Sequence, residues 1–150
     1  MTIVETNRTP ARPALFLLVR PTTRRYLVRR DDLTDMRRIA GPADLDALGT
    51  PDRPAVPVEL SALLGEPAPE RANQALIVSL RRRPVVFLVQ HVEMLIEHAH
   101  VEPLPALLRA ALGDAWSVGS LLIDEEPTIV LDLRAIARSV LAAAKTTREE

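Results

Sequence analysis

The sequence predicts an all-β domain closed by a single C-terminal helix, and three observations predict it. Short apolar runs recur along most of the chain, separated by clusters of proline, glycine and charged residues, which is the pattern of a barrel or sandwich. One run, Val85-Val86-Phe87-Leu88-Val89, is apolar on both parities, so it reads as a strand covered on both faces. Only the last third of the chain carries a sustained 3.6-residue apolar stripe ahead of a charged end.

Taken in order, residues 1–13 hold polar groups and two prolines without periodicity and read as a flexible N-terminal tail. Ala14–Arg20 and Arg24–Arg30 flank Pro21-Thr22-Thr23 as a hairpin. Leu33–Ile39 alternates poorly, returning Leu33, Met36 and Ile39. Residues 40–57 form a proline- and glycine-rich irregular stretch, too short to link separate domains. Leu60, Leu63 and Leu64 before Gly65 fit one or two helical turns ended by a glycine. Glu66–Arg71 reads as a loop, and Ala75–Leu80 and Val85–Val89 as strands joined by Arg81-Arg82-Arg83-Pro84. His91–His100 is ambiguous: Val92, Leu95, Ile96 and Ala99 suit a helix, while Val92, Met94 and Ile96 suit a strand. Pro105, a face of Leu104, Leu107, Leu108 and Ala111, and Gly113 define a short helix. Val118–Ile123 and Thr128–Leu131 flank the hairpin segment Asp124-Glu125-Glu126-Pro127. Asp132 then caps a helix whose stripe is Leu133, Ile136, Ala137, Val140, Leu141 and Ala144. The domain is thus expected over residues 14–144, with 145–150 as a frayed C-terminal tail.

Composition removes several function classes. A chain of 150 residues is about one domain long, and 47% apolar residues supply a core without staples. The absence of cysteine excludes disulfides, thiolate zinc sites, iron–sulfur clusters and a cysteine nucleophile. With a net charge of -1, nothing draws the molecule globally to nucleic acid or anionic lipid. The longest apolar run near the start, Ala14–Val19, is too short to span a membrane, so a soluble cytoplasmic protein without membrane insertion is expected. Charge is unevenly distributed: residues 1–40 hold nine arginines against Glu5, Asp31, Asp32 and Asp35, whereas residues 91–132 hold Arg109 against eight acidic residues. Two outcomes stand open, a molecule polarised for oriented docking or two segments that neutralise each other in the fold.

No glycine-rich phosphate loop, HExxH helix or GxSxG turn is present. Two alternatives to a binding protein remain. His91, His98 and His100 cluster in sequence, and on a strand His98 and His100 point to one side, so a small metal-dependent enzyme would use these three. The arginine pairs at 24–25, 29–30 and 37–38 and Arg81-Arg82-Arg83 could follow a phosphate backbone. Aromatic residues for base stacking are scarce, however, and adjacent strand residues face opposite ways, so no nucleic acid is expected as a partner. Asp124-Glu125-Glu126 sits at an exposed tip, unsuited to raising a carboxylate pKa for acid–base catalysis.

The serial order of segments resembles the CheW-like family of chemotaxis adaptor domains. Tyr26-Leu27-Val28 followed by Leu33-Thr34-Asp35-Met36 is similar to the family's strand and its V-x-E-[VI] element. Val56-Pro57-Val58-Glu59-Leu60 with Leu63-Leu64-Gly65 resembles the P-V-[VI]-D-L…LG segment. Val85–Val92 resembles the V-G-[IL]-[LV]-V-D-x-V strand, and Pro103-Leu104-Pro105 the step after it. Val118-Gly119 and Pro127-Thr128-Ile129-Val130-Leu131-Asp132-Leu133 resemble the closing hairpin and the start of the final helix. The likeness extends from about Leu15 to Leu141.

The resemblance implies two intertwined, SH3-like, five-stranded β-barrel subdomains with short helices and a C-terminal helix. It also implies a non-catalytic scaffold, without cofactor or metal, that couples to the regulatory domain of a histidine kinase, with a chemoreceptor as second candidate partner. Carried over by position, Leu33 and Asp35 stand where the family's Val and Glu contribute to the kinase-facing surface, and Met36 follows. The family's receptor-coupling arginine falls on Asp52, which reverses its charge, within a segment where Pro51 and Pro54 remove ladder donors. Val86 and Gln90 replace the family's Gly and Asp in the later strand.

Overall fold

In the computed structural model, residues 14–81, 83–98, 101–112 and 116–149 are described. Nine strands and four α-helices follow in the order β1 (Ala14–Arg20), β2 (Tyr26–Arg29), a 3-10 turn (Arg30–Asp32), β3 (Asp35–Arg38), α1 (Pro42–Asp46), β4 (Val56–Glu59), α2 (Leu60–Leu63), β5 (Gln74–Ser79), β6 (Pro84–Val89), β7 (His91–His98), α3 (Ala106–Leu112), β8 (Ser117–Ile123), β9 (Glu126–Leu131) and α4 (Leu133–Glu149). The expected N-terminal tail lies outside the described residues. Backbone helix α4 continues to Glu149, past the boundary drawn at Ala144.

The strands form two sheets, one ordered β7-β1-β2-β9-β8 and one ordered β3-β5-β6-β4. In the first, β1 pairs antiparallel with β2 and β7, and β9 lies parallel to β2 through Leu27↔Val130 and Val28↔Leu131. Beyond β7 the chain returns to the far edge of this sheet. There Glu102 and Ser120 exchange backbone hydrogen bonds of 2.9 and 2.8 Å, which fix the returning segment against β8. Gly119 makes that approach possible: its φ of +151° suits glycine, and a Cβ there would collide with the Glu102 carbonyl and the Val101 side chain.

The second sheet has four strands among the described residues, where the resemblance implied five. The missing place has a chemical cause. Gly49, Pro51 and Pro54 interrupt residues 47–55, and Thr50 and Arg53 close on each other in a turn (3.0 and 3.1 Å) instead of joining a ladder. Leu45, Leu48 and Ala55 from this region cover Ile39, Ala75, Ile77 and Val86 on one face of the sheet.

Each sheet is apolar on both faces, which is why the strand runs lack polar alternation. Leu17, Val19 and Val28 of the first sheet meet Leu76, Val78, Val85, Phe87 and Val89 of the second in a shared central core. The opposite parity of β1, Phe16 and Leu18, joins Leu27, Leu121 and Val130 in a separate cluster on the other face. Helix α4 plugs the central core with Leu133, Ile136 and Ala137, all fully buried, and Asp132 Oδ1 accepts from the Ala135 N–H at 3.1 Å as the expected cap. Helix α2 ends as the leucine pattern predicts, with Gly65 at φ +71°. The ambiguous segment from His91 is strand β7, because the open edge of β1 offers it a partner along its whole length. Among the described residues no helix is long and apolar enough to cross a membrane.

Candidate protein-interaction surface

Strand β3 ends the second sheet, so one side of its backbone is unpaired in the ladder. Its side chains reflect this: Met36 is 41% exposed, and Arg37 and Arg38 are exposed. Asp35 organises the strand locally. Its Oδ2 accepts from Arg37 Nε at 2.8 Å and its Oδ1 from the Met36 N–H at 2.8 Å. Those two bonds, the Arg37 bond first, hold the carboxyl below its ordinary range. A charged strand whose own carboxylate occupies a backbone donor is protected against indiscriminate strand pairing. It leaves Met36 as the apolar contact in a charged surround.

Of the four residues singled out from the sequence, Asp35 and Met36 are therefore adjacent and accessible. Leu33 is not: it is 6% exposed and packs in the central core with Val28 and Leu133, so it offers no side chain to a partner. Asp52 is exposed at the Thr50–Arg53 turn, and no strand forms around it.

The three histidines do not make one centre. His91 lies opposite Arg20 and His98 opposite Ala14, at the two ends of β1. Seven residues along a strand place them about 23 Å apart, at ~3.3 Å per residue, whereas ligands of one ion sit ~2 Å from it. His100 is outside the described residues, and those described include no group of His, Cys, Asp and Glu suited to a metal.

One arginine of each pair meets a carboxylate: Arg25 meets Asp124 at 3.4 Å, Arg29 meets both Asp32 (3.0 Å) and Asp132 (3.2 Å), and Arg37 meets Asp35 at 2.8 Å. Arg20, outside the pairs, meets Glu93 at 3.0 Å. Because β1 pairs with β7 and β2 with β9, the basic first segment lies against the acidic later one. Neutralisation within the fold is the outcome at these positions, in place of a phosphate-tracking stripe.

Sequence reasoning missed a second set of exposed apolar residues. Met94 and Leu95 on β7 are each 55% exposed, and Leu107 on α3 is 83% exposed. Successive strand residues face opposite sides, so exposure of both marks β7 as an edge with neither side fully covered. The signal was available only once the helical reading of this segment was set aside.

No family model matches the sequence, and no curated protein matches it. The scaffolding protein CheW of Thermoanaerobacter tengcongensis, in its crystal structure, superposes with a TM-score of 0.59, covering 80% of this chain and 89% of that one at 14% identity. The fold is CheW-like. At this identity the likeness is one of fold: two sheets about a shared core, with one helix at the C-terminus. Within the CheW-like frame, β3 is a free edge of the second sheet, and the segment carrying Asp52 is a turn beside α1.

Proposed function

We propose that the protein is a non-catalytic adaptor of a chemotaxis-type signalling system that couples to the regulatory domain of a histidine kinase. Its work is positional: a rigid pair of sheets holds a partner in register, and no bond is made or broken. The observation that carries this reading is the CheW-like fold, since the solved neighbour is itself a scaffolding protein. The exposed edge of β3, with Asp35 and Met36 side by side, supports it as the docking surface. Receptor coupling is left out of the proposal. The residues in the corresponding segment form a turn with Asp52 at its tip, opposite in charge to what the family uses there.

The test is co-migration on a sizing column of the purified protein with the regulatory domain of a chemotaxis-type kinase. The wild type is expected to co-migrate, and Asp35→Arg with Met36→Glu to weaken the complex roughly tenfold while circular dichroism is unchanged. A wild type that never co-migrates, or a double variant that binds equally well, would overturn the reading.

A further inference from the structure

A cleft of about 600 Å³ opens at the end of the second sheet, between the exit of β3 and the chain entering β5. Its construction follows from the sequence. The Ile39 N–H donates to the Asn73 carbonyl at 2.7 Å, tying the end of β3 to the start of β5. One residue later the chain turns away into α1, held by Asp44 Oδ2 accepting from the Ala40 N–H at 2.7 Å. The space between has a partly apolar wall, from Ile39, Pro42 and Leu45, and carries Arg38 and Arg71 beside Asn73.

The electrostatics are one-sided. None of the described residues lining the cleft is acidic. Among the described residues, neither Arg38 nor Arg71 makes an ion pair, unlike Arg20, Arg25, Arg29 and Arg37. The nearby Asp44 is engaged in holding its own loop. Two uncompensated guanidinium groups beside an apolar wall complement an anion that also has an apolar part. The volume lies within the ~300–1,000 Å³ of ordinary ligand sites. No aromatic ring lines the cleft to stack a base, which disfavours nucleic acid.

We propose that this cleft binds an acidic peptide segment of a protein partner. Its carboxylates are held by Arg38 and Arg71, and an intervening aliphatic side chain lies against Ile39, Pro42 and Leu45. The inference goes beyond the kinase reading, because it concerns the end of the sheet and requires no kinase.

The test is fluorescence anisotropy of the full chain with a labelled Glu-Ile-Glu-Leu-Glu peptide, a Gln-Ile-Gln-Leu-Gln control and a labelled twelve-nucleotide oligo-dT. The glutamate peptide is expected to bind, to weaken as salt is raised, and to bind roughly tenfold less tightly to Arg38→Glu/Arg71→Glu. Arg71→Gln alone, on a loop, provides a milder variant if the double one does not fold, with a few-fold loss expected. Equal binding of the two peptides, unchanged affinity in the variants, no binding of the glutamate peptide, or arginine-dependent binding of the oligonucleotide in its place would each overturn the proposal.

Discussion

Glu66 shows how much of the molecule is decided by single side chains in its loops. Its Oε1 accepts from the Thr23 N–H (3.1 Å), the Thr23 hydroxyl (3.0 Å) and the Arg24 N–H (3.1 Å), tying the loop after α2 to the β1–β2 turn. Burial resists the charge, but the Tyr26 hydroxyl nearby and these donors outweigh it, and the carboxyl falls below its ordinary value of 4.5. The enclosed Oε2 itself makes no hydrogen bond, so the backbone donors are the firmer cause. A depressed carboxyl contributes stability that is complete above the unfolded value and lost as pH falls through the folded one. Glu66→Gln is therefore expected to lose about 1 kcal/mol at pH 7 and to approach the wild type as pH falls below 4.5 through the folded value, read by urea unfolding. A deficit that does not change with pH would assign the effect to packing. Asp32 has the opposite sign: burial raises it despite Arg29, so its contribution declines as pH rises through its folded value. Neither behaviour was legible in the sequence, where Glu66 is only a loop residue, because its partners lie 42 and 43 positions away.

At the scale of elements, local chemistry was read well where it decides the outcome alone. The β8–β9 hairpin, the β5–β6 hairpin, the Asp132 cap and the glycine that ends α2 all follow from turn and cap preferences. The hairpin tip is tighter than its four-residue signal. Asp124 (φ 52°) and Glu125 (φ 67°) make a two-residue turn, leaving Glu126 and Pro127 to pair with Ile123 and Leu122. Both turn positions need positive φ, which is unfavourable for Glu. Glu125→Gly is expected to stabilise by ~0.5–1 kcal/mol, raising the melting temperature by about 1–4 °C in calorimetry. A lowered melting temperature would show that Glu125 makes a compensating contact. Strand β7 was not legible by periodicity, since its helical and strand readings tie until the edge of β1 is known. The segment 47–55 was legible in the other direction: its prolines forecast the lost strand.

Over the whole molecule, what sequence periodicity cannot supply is the pairing of distant strands. The parallel β2–β9 and β4–β6 ladders join elements separated by long stretches of chain, and no local alternation in the sequence marks either pairing. The β1–β7 and β2–β9 pairings answer the charge question, since they bring Arg20 to Glu93 and Arg29 to Asp132. They also sort the candidate site, burying Leu33 in the core between the sheets while leaving Asp35 and Met36 on an edge. Residue identity could not distinguish those two fates. The most direct measurement is amide hydrogen exchange across the chain, alone and with the regulatory domain of a chemotaxis-type histidine kinase. Binding is expected to slow exchange at residues 35–38 while leaving β7 unchanged. Protection confined to β7, or none anywhere at saturating partner, would contradict the assignment.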